Sequence, residues 1–301
     1  MQNIFFLFYT LMSYINAIFI WNLDSNFLIL KVELKLGKYM NITICIKQVP
    51  GTAEVDIDEK TGVLKRDGID SKMNPYDLYA IETAVRLKKN NNAEVSVITM
   101  GPPQAEAVIK EAYMMGVDKG CLLTDRKFAG ADVLATSYAL SQGITQMGKY
   151  DLIICGKMTT DGDTAQVGPE IAECLNIPHV ANVRKIHKIN DNSVVVEMNM
   201  AESVEIQEVI LPCLITVEKD ICQPRLPSFK LKMKTSDRPI PRITFKDLDD
   251  KNVMHYGLNG SPTQVLKIFP PPANTTNEKW EGTGDKLSKK LADKLHELKY
   301  V

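Results

Sequence analysis

The sequence predicts an α/β fold with a doubly wound, mostly parallel sheet, an antiparallel extension and an extended C-terminal arm. Between residues 42 and 175, short apolar runs alternate with helical patterns, which is typical of successive strand–helix–strand units. Residues 183–209 then alternate polar and apolar side chains, as half-buried antiparallel strands do. From Gln223 onward the chain is rich in proline and lysine, a composition that favours an arm over a second core.

The composition is that of an ordinary globular protein. Of 301 residues, 45% are hydrophobic and 24% charged, and the formal net charge is -1, so nothing indicates a nucleic-acid partner. The six cysteines are scattered without a CxxC pair, which argues against a zinc site or a disulfide framework. We therefore expect no metal, no stable membrane association and a reducing, cytoplasmic compartment.

The first 39 residues differ in character from the rest. Residues 4–20 are almost continuously apolar, and the first charge is Asp24. The run could be a short membrane anchor or the core of a signal peptide, but no basic residue precedes it and no cleavage site follows. Because an apolar strand pattern begins directly after Met40, we expect residues 1–39 to lie outside the fold. The expected organisation is then a nucleotide-binding α/β domain over 40–222 and a recognition loop with a C-terminal arm over 223–301.

Hydrophobic periodicity gives bounds for the individual elements. Asn74 followed by Pro75 is a typical helix start, with the asparagine as N-cap. The expected strands cover residues 42–46, 93–99, 120–124, 152–155, 183–186, 193–198, 203–209 and 211–217, with a hairpin over 55–65. The expected helices begin at residues 75, 104, 133 and 169, and a last helix carries Leu287, Leu291, Leu295 and Leu298 on one face. That face could dock on a partner subunit or on the core of this chain.

A glycine- and hydroxyl-rich loop over residues 156–168 joins a buried strand to a helix. Free backbone N–H groups and the dipole of the following helix favour an anion at such a place. Ligands of doubly wound sheets bind beyond the carboxyl ends of the strands. The loop therefore predicts a phosphate-bearing ligand, and the alternative is a strand-to-helix turn that binds nothing.

From Met40 to about Phe245, the chain resembles the β subunit of electron transfer flavoproteins (ETFs). The resemblance rests on an ordered set of short motifs, each weak alone. They are KQVP at 47–50, MNPYD at 73–77, TMGPP at 99–103, MGVD at 115–118, the loop at 156–168 and LPCLIT at 211–216.

This resemblance implies a Rossmann-like domain and an arm that embraces an ETF α subunit in a heterodimer. In housekeeping members, the β subunit holds a structural AMP, and the only flavin is on α. In electron-bifurcating members, the β subunit binds a second FAD, which exchanges hydride with NAD(H) and single electrons with ferredoxin and, through the α-subunit FAD, with a partner flavin dehydrogenase.

The loop bears on which type this chain is. Where AMP-type members carry bulkier polar residues, this chain has Ala165, Gln166 and Val167, and small residues leave room for a dinucleotide. We therefore expect FAD, with Thr164 and backbone N–H groups on its diphosphate, and with Asp161 and Asp163 turned towards ribose hydroxyls or backbone N–H groups. The cofactor-binding residues expected in this loop are Gly156, Lys157, Asp161, Gly162, Asp163, Thr164, Ala165, Gln166 and Val167.

The resemblance adds cofactor-binding residues on other loops, each with a plainer alternative. Cys45 would pack on the adenine, or be only a core thiol. Asn74, Tyr76 and Asp77 would contact the nucleotide, or form only a helix cap. Met100 and Gly101 match a strand end at which the backbone would closely approach the nucleotide. Asp125, Phe128, Asp132 and Thr136 would lie near the isoalloxazine ring or the ribityl chain of the flavin. The nicotinamide is expected near residues 101–103, and a solvated loop is the alternative for both of these last expectations.

Leu226 matches the leucine by which ETFs anchor on their dehydrogenase, and an exposed leucine between two prolines suits such an anchor. The loop around it is shorter than in most members, which favours a lactate dehydrogenase or glycolate-oxidase-like flavin partner over the acyl-CoA dehydrogenase type. No catalytic side chain is expected, because the cofactors carry the chemistry. The expected function is that of the FAD-binding β subunit of a bifurcating or confurcating NAD- and ferredoxin-linked oxidoreductase. One alternative is a housekeeping β subunit with AMP. Another is a nucleotide hydrolase, which the absence of a Walker motif from the sequence disfavours.

Overall fold

The computed structural model describes residues 39–51, 71–265 and 277–301. The predicted hairpin over 55–65, the proline run at 270–272 and all but the last residue of the apolar leader lie outside these ranges. The described strands are β1 (Met40–Cys45), β2 (Gln48–Pro50), β3 (Ser71–Met73), β4 (Ala93–Met100), β5 (Lys119–Leu123), β6 (Leu152–Gly156), β7 (His179–Ile189), β8 (Ser193–Asn199), β9 (Val204–Ile210), β10 (Cys213–Val217) and β11 (Arg242–Ile243). The α-helices are α1 (Pro75–Asn90), α2 (Glu106–Met115), α3 (Val133–Met147), α4 (Val167–Cys174), α5 (Phe229–Thr235) and α6 (Gly284–Glu297).

Nine strands form one mixed sheet in the order β11-β5-β4-β1-β6-β10-β7-β8-β9. The strands from β11 to β7 pair in parallel, whereas β7, β8 and β9 pair in antiparallel fashion. β2 and β3 make a separate antiparallel pair. The predicted fold class, a doubly wound parallel sheet with an antiparallel extension, is confirmed.

The central strands are buried on both faces because helices cover both. α1 and α2 contribute Ile81 and Ile109 to one cluster of buried residues, and α3 and α4 contribute Ile144 and Ile171 to the other. All five residues of β10 are buried. Parallel strands enclosed in this way consist of continuous apolar runs, which is why the sequence pattern located them well.

The antiparallel extension has an open outer edge. Ile206 and Ile210 on β9 are 63% and 71% exposed, respectively. Exposed and buried side chains still alternate at the end of β9, since Val209, next to Ile210, is only 9% exposed. β9 ends the sheet on this side, and no other described strand pairs with its outer edge.

The segment after Cys222 contains a short helix and a short strand. Ser228 accepts a hydrogen bond from the backbone N–H of Leu231 and caps α5, a helix that the composition obscured. β11 then pairs with β5 and extends the sheet. Phe245 and Tyr256 are 6% and 1% exposed in the core cluster that also contains α3. Residues 223–264 thus belong to the same compact unit as the sheet.

The last helix, α6, belongs to a second compact unit. Leu291 is half-exposed, and the Nζ of Lys290 lies 4.7 Å from the centroid of the Trp280 ring. Among the described residues, no helix has the length and apolar character needed to cross a bilayer.

Replacing Ile154 in β6 by alanine tests the packing of the sheet centre. Ile154 is 0% exposed, so Ile154→Ala should lower the free energy of unfolding by about 2–5 kcal/mol through lost burial and a cavity. Ile206→Ala, the same change on an exposed strand position, should cost less than about 0.5 kcal/mol. Urea unfolding followed by circular dichroism measures both, and equal losses would contradict the described core.

Candidate functional site

The carboxyl ends of the parallel strands bring the candidate loops to one edge of the sheet. From β1 the chain moves to β4 and β5 on one side, and then crosses to β6 on the other. β1 and β6 are neighbours, with Cys45 opposite Cys155. Strand order therefore reverses between β1 and β6, and the crevice at such a reversal is where doubly wound sheets bind ligands.

Asn74 ties the start of α1 to the loop after β6. It occupies the N-cap position but makes no side-chain capping bond. Its Nδ2 instead donates to the carbonyl of Met158 at 2.9 Å, and its Oδ1 accepts from the N–H of Thr160 at 3.2 Å. Asn74 thus has the predicted N-cap position, and its side chain, at 0% exposure, bridges α1 and the loop after β6.

Asp77 lies buried beneath this bridge. Its carboxylate accepts hydrogen bonds from the Nδ2 of Asn74 at 2.8 Å and from the backbone N–H of Lys47 at 2.7 Å. Burial outweighs these bonds and raises the pKa of Asp77 to about 7. Asp77, in the first turn of α1, thus connects this helix to the chain that follows the carboxyl end of β1. Its charge changes near neutral pH.

Two glycines allow the close contacts at this edge. A Cβ at Gly156 would lie 2.6 Å from the Oδ1 of Asp77 and 2.8 Å from the backbone carbon of Tyr76. A Cβ at Gly168 would lie 2.5 Å from the Cγ2 of Thr216. The first turn of α1 therefore reaches the end of β6, and the first turn of α4 reaches β10, only because both positions lack a side chain.

The loop between these glycines presents free donors. Residues 160–166 are exposed, and Asp163 and Ala165 have left-handed φ angles of 53° and 56°, an unusual conformation for residues other than glycine. α4 begins at Val167 rather than at the predicted Pro169. The backbone N–H groups of Gly162, Thr164, Ala165 and Gln166 make no hydrogen bond with the backbone of another described residue. Such a set of amides at a helix start fits a phosphate group.

Asp161 and Lys157 of the loop form ion pairs within the protein. Both carboxylate oxygens of Asp161 contact the Nζ of Lys47, at 2.8 and 2.7 Å, a partner that the expected turn towards ribose hydroxyls or backbone N–H groups did not include. Burial opposes ionisation of Asp161, but the hydrogen bond and charge of Lys47 hold its pKa below the usual value. The Nζ of Lys157 lies 2.9 Å from the Oε1 of Glu218, so it joins β6 to the end of β10.

Two residues expected at the nucleotide have their contacts inside the protein. Cys45 is 8% exposed and packs with Cys155 in one core cluster. This position agrees with the alternative that Cys45 is a core thiol. The N–H of Gly101 donates to the carbonyl of Leu123 at 3.1 Å, which fixes the turn after β4. Thr99, just before Met100, has a fully buried hydroxyl with no hydrogen-bond partner among the described residues.

The segment expected near the flavin ring is held by the chain that follows β11. Asp125 accepts from the N–H of Phe245 at 3.2 Å, and the Phe128 ring lies 5.7 Å from that of Tyr256. Asp132 caps α3 through the N–H of Ala135, and its other oxygen accepts from Thr263. Thr136 follows in the first turn of the same helix. The structure accounts for these residues without a ligand, and their flavin contact stays a prediction.

Comparison with known proteins identifies the family. A family profile described as the electron transfer flavoprotein domain matches residues 61–248. The chain is 43% identical over 259 residues to the electron transfer flavoprotein subunit β of Thermoanaerobacterium thermosaccharolyticum, covering 85% of this chain and 98% of that protein. The chain belongs to the electron transfer flavoprotein family.

Other ETF subunits are similar over equal lengths. The chain is 44% identical over 260 residues to the caffeyl-CoA reductase-Etf complex subunit CarD of Acetobacterium woodii, covering 86% of this chain and 98% of that protein. It is 38% identical over 262 residues to the acryloyl-CoA reductase electron transfer subunit γ of Anaerotignum propionicum, covering 85% and 98%. The resemblance to ETF β subunits read from the motifs is confirmed.

Sequence reasoning missed the base of the loop that carries Leu226. The Nε of Arg225 lies 2.6 Å from the Oε2 of Glu82 in α1, and its Nη2 lies 3.1 Å from the Oε1. Burial of Glu82 is outweighed by its hydrogen bonds to Arg225 and Arg86, which lower its pKa to about 2. Because the partners are 143 residues apart, no local pattern signals the pair. Leu226 itself is 87% exposed.

Asp77 should make stability depend on pH. An unfolded aspartate has lost its proton by about pH 5, whereas folded Asp77 keeps it until about pH 7. The folded state then binds more protons, so the free energy of unfolding should fall as pH rises through this window, by at least about 1 kcal/mol. Asp77→Asn should remove this part of the slope in urea titrations at several pH values. Asp237→Asn, at an exposed aspartate, should keep the wild-type slope, and an Asp77→Asn variant that also keeps it would show that Asp77 does not titrate there.

Proposed function

We propose that this chain is the FAD-binding β subunit of an electron-bifurcating or confurcating ETF, and that the diphosphate of FAD binds at the loop over residues 156–168. The observation that carries the proposal is the set of unpaired amides of Gly162, Thr164, Ala165 and Gln166 at the reversal point of the sheet. An anion there meets the dipole of α4 as well as the amides. The dinucleotide then continues past Ala165, whose short side chain and left-handed backbone leave room beside the loop.

The protein's own residues supply position and electrostatics for this chemistry. Bound FAD would exchange hydride with NAD(H) and single electrons with further redox centres. Asn74 and Asp77 fix the loop against α1, and Gly101 fixes the turn where we place the nicotinamide site. No acid–base side chain is required, and among the described residues no group of three His, Cys, Asp or Glu side chains is placed to hold a metal ion.

An alternative is a housekeeping β subunit that holds AMP and has no redox role of its own. A single phosphate would satisfy the same amides, so they do not separate the two ligands. The length of the ligand separates FAD from AMP, because only a dinucleotide has to continue past residues 165–167.

Titrating FAD and AMP into the αβ heterodimer separates the two ligands. The wild type should bind FAD more tightly than AMP. Ala165→Asn should weaken FAD binding about tenfold by crowding the second half of the ligand and leave AMP binding unchanged. Asparagine tolerates a left-handed backbone, so the loop itself should keep its shape.

Ala165→Gly keeps both the room and the backbone conformation, and should bind FAD as the wild type does. If the wild type prefers AMP, or if Ala165→Asn weakens AMP as much as FAD, the β subunit is of the housekeeping type.

The proposed partners are an ETF α subunit, ferredoxin and a flavin dehydrogenase anchored by Leu226. The bidentate pair of Arg225 and Glu82 holds this leucine in place from one side. The short loop favours a dehydrogenase of the lactate or glycolate-oxidase-like kind. The names of two similar proteins, which include a caffeyl-CoA reductase and an acryloyl-CoA reductase, support the acyl-CoA type as the second candidate.

Leu226→Ala should weaken binding of the dehydrogenase about thirtyfold, since an exposed anchor contributes about 2 kcal/mol or more when it fills a pocket. Surface plasmon resonance against one flavoprotein of each dehydrogenase type measures the loss and identifies the preferred type. Leu226→Met keeps most of the apolar volume and should bind nearly as the wild type does. Nucleotide content should be the same in all three proteins, and unchanged binding by Leu226→Ala would remove the anchor role.

A further inference from the structure

We propose that Lys47 binds the phosphates of the nucleotide, and that Asp161 competes with the ligand for this lysine and so lowers nucleotide affinity. The inference rests on the proposed function, because it assigns a role in the same site. Both side chains reach solvent: that of Lys47 is 44% exposed and that of Asp161 is 32% exposed.

The pair spans the crevice in which the ligand would bind. Lys47 follows β1, and Asp161 lies in the loop that follows β6. These two strands are neighbours at the point where strand order reverses. The ion pair, with contacts at 2.8 and 2.7 Å, therefore connects the two sides of the crevice, and a diphosphate on the loop amides would lie beside the lysine.

The ends of the pair are anchored by their backbones, so their side chains can exchange partners. The N–H of Lys47 is held by buried Asp77 at 2.7 Å. The loop is held on the other side by the bond from the N–H of Thr160 to Asn74, and by that from the N–H of Asp163 to the carbonyl of Thr159. A rotation of either side chain breaks none of these bonds.

The energetics favour exchange of Asp161 for a phosphate. An ion pair between exposed side chains contributes little to stability. A diphosphate carries more negative charge than a carboxylate and forms stronger hydrogen bonds with an ammonium group. Bound phosphate would still lie near Asp161, and this carboxylate would repel it. Asp161 should therefore oppose binding both by occupying Lys47 and by its own charge.

A purely structural role for the ion pair predicts the opposite result. If the pair shapes the loop for its ligand, removing the charge of Asp161 should loosen the loop and weaken binding. Competition predicts that the same change releases Lys47 and strengthens binding. The sign of the effect of Asp161→Asn thus decides between the two roles.

The experiment titrates FAD, and separately AMP, into the αβ heterodimer carrying Asp161→Asn, Lys47→Gln or both. Asp161→Asn should tighten nucleotide binding about tenfold, and Lys47→Gln should weaken it about tenfold, the usual effect of one charged hydrogen bond. In the Lys47→Gln background, most of the gain from Asp161→Asn should vanish. Glu94→Gln, which breaks the ion pair of Glu94 with Lys119, is the matched control and should leave affinity unchanged.

Equal or weaker binding by Asp161→Asn would overturn the competition, and unchanged binding by Lys47→Gln would overturn the role of the lysine. These outcomes differ from a failure of the proposed function. If the wild type binds AMP and not FAD, the FAD proposal fails. The relative affinities of the variants for AMP still decide the role of Lys47 and Asp161, because both ligands carry phosphate.

Discussion

The contact between the first turn of α1 and the end of β6 is the constraint on which the site depends. Gly156 permits it, because any side chain there would collide with Asp77 and with the backbone of Tyr76. Through this contact, Asn74 reaches the carbonyl of Met158 and the N–H of Thr160. A loop with two left-handed residues is thereby held at both ends, by α1 and by α4, while the N–H groups of Gly162, Thr164, Ala165 and Gln166 stay without a backbone partner.

Two ion pairs lie at this edge of the sheet. Lys47 pairs with Asp161, and Lys157 pairs with Glu218. Asp77 is buried with a raised pKa, so it is largely neutral below about pH 7. An anionic ligand would therefore meet amide dipoles and one exchangeable ammonium group rather than a fixed excess of positive charge. Such an arrangement favours selection by shape and hydrogen bonding over simple attraction to any anion.

Much of the fold could be predicted from the sequence because its parallel strands are buried and therefore continuously apolar. β6 and the helix from Val133 to Met147 were predicted nearly to the residue. α5 was missed because lysines and prolines outweighed its Ser228 cap, and β11 because two residues make no pattern. For the site, the motifs located the loop and Asn74, but not the pairing of Lys47 with Asp161 or of Glu82 with Arg225. Those contacts join distant parts of the chain, and only the folded sheet brings them together.

The central claim is that the loop over residues 156–168 holds a flavin dinucleotide. Counting the nucleotides released by heat from the purified αβ complex tests it most directly. The account predicts two FAD per heterodimer and no AMP, because one dinucleotide would come from each subunit. One FAD with one AMP per heterodimer would contradict it and assign the β subunit to the housekeeping type.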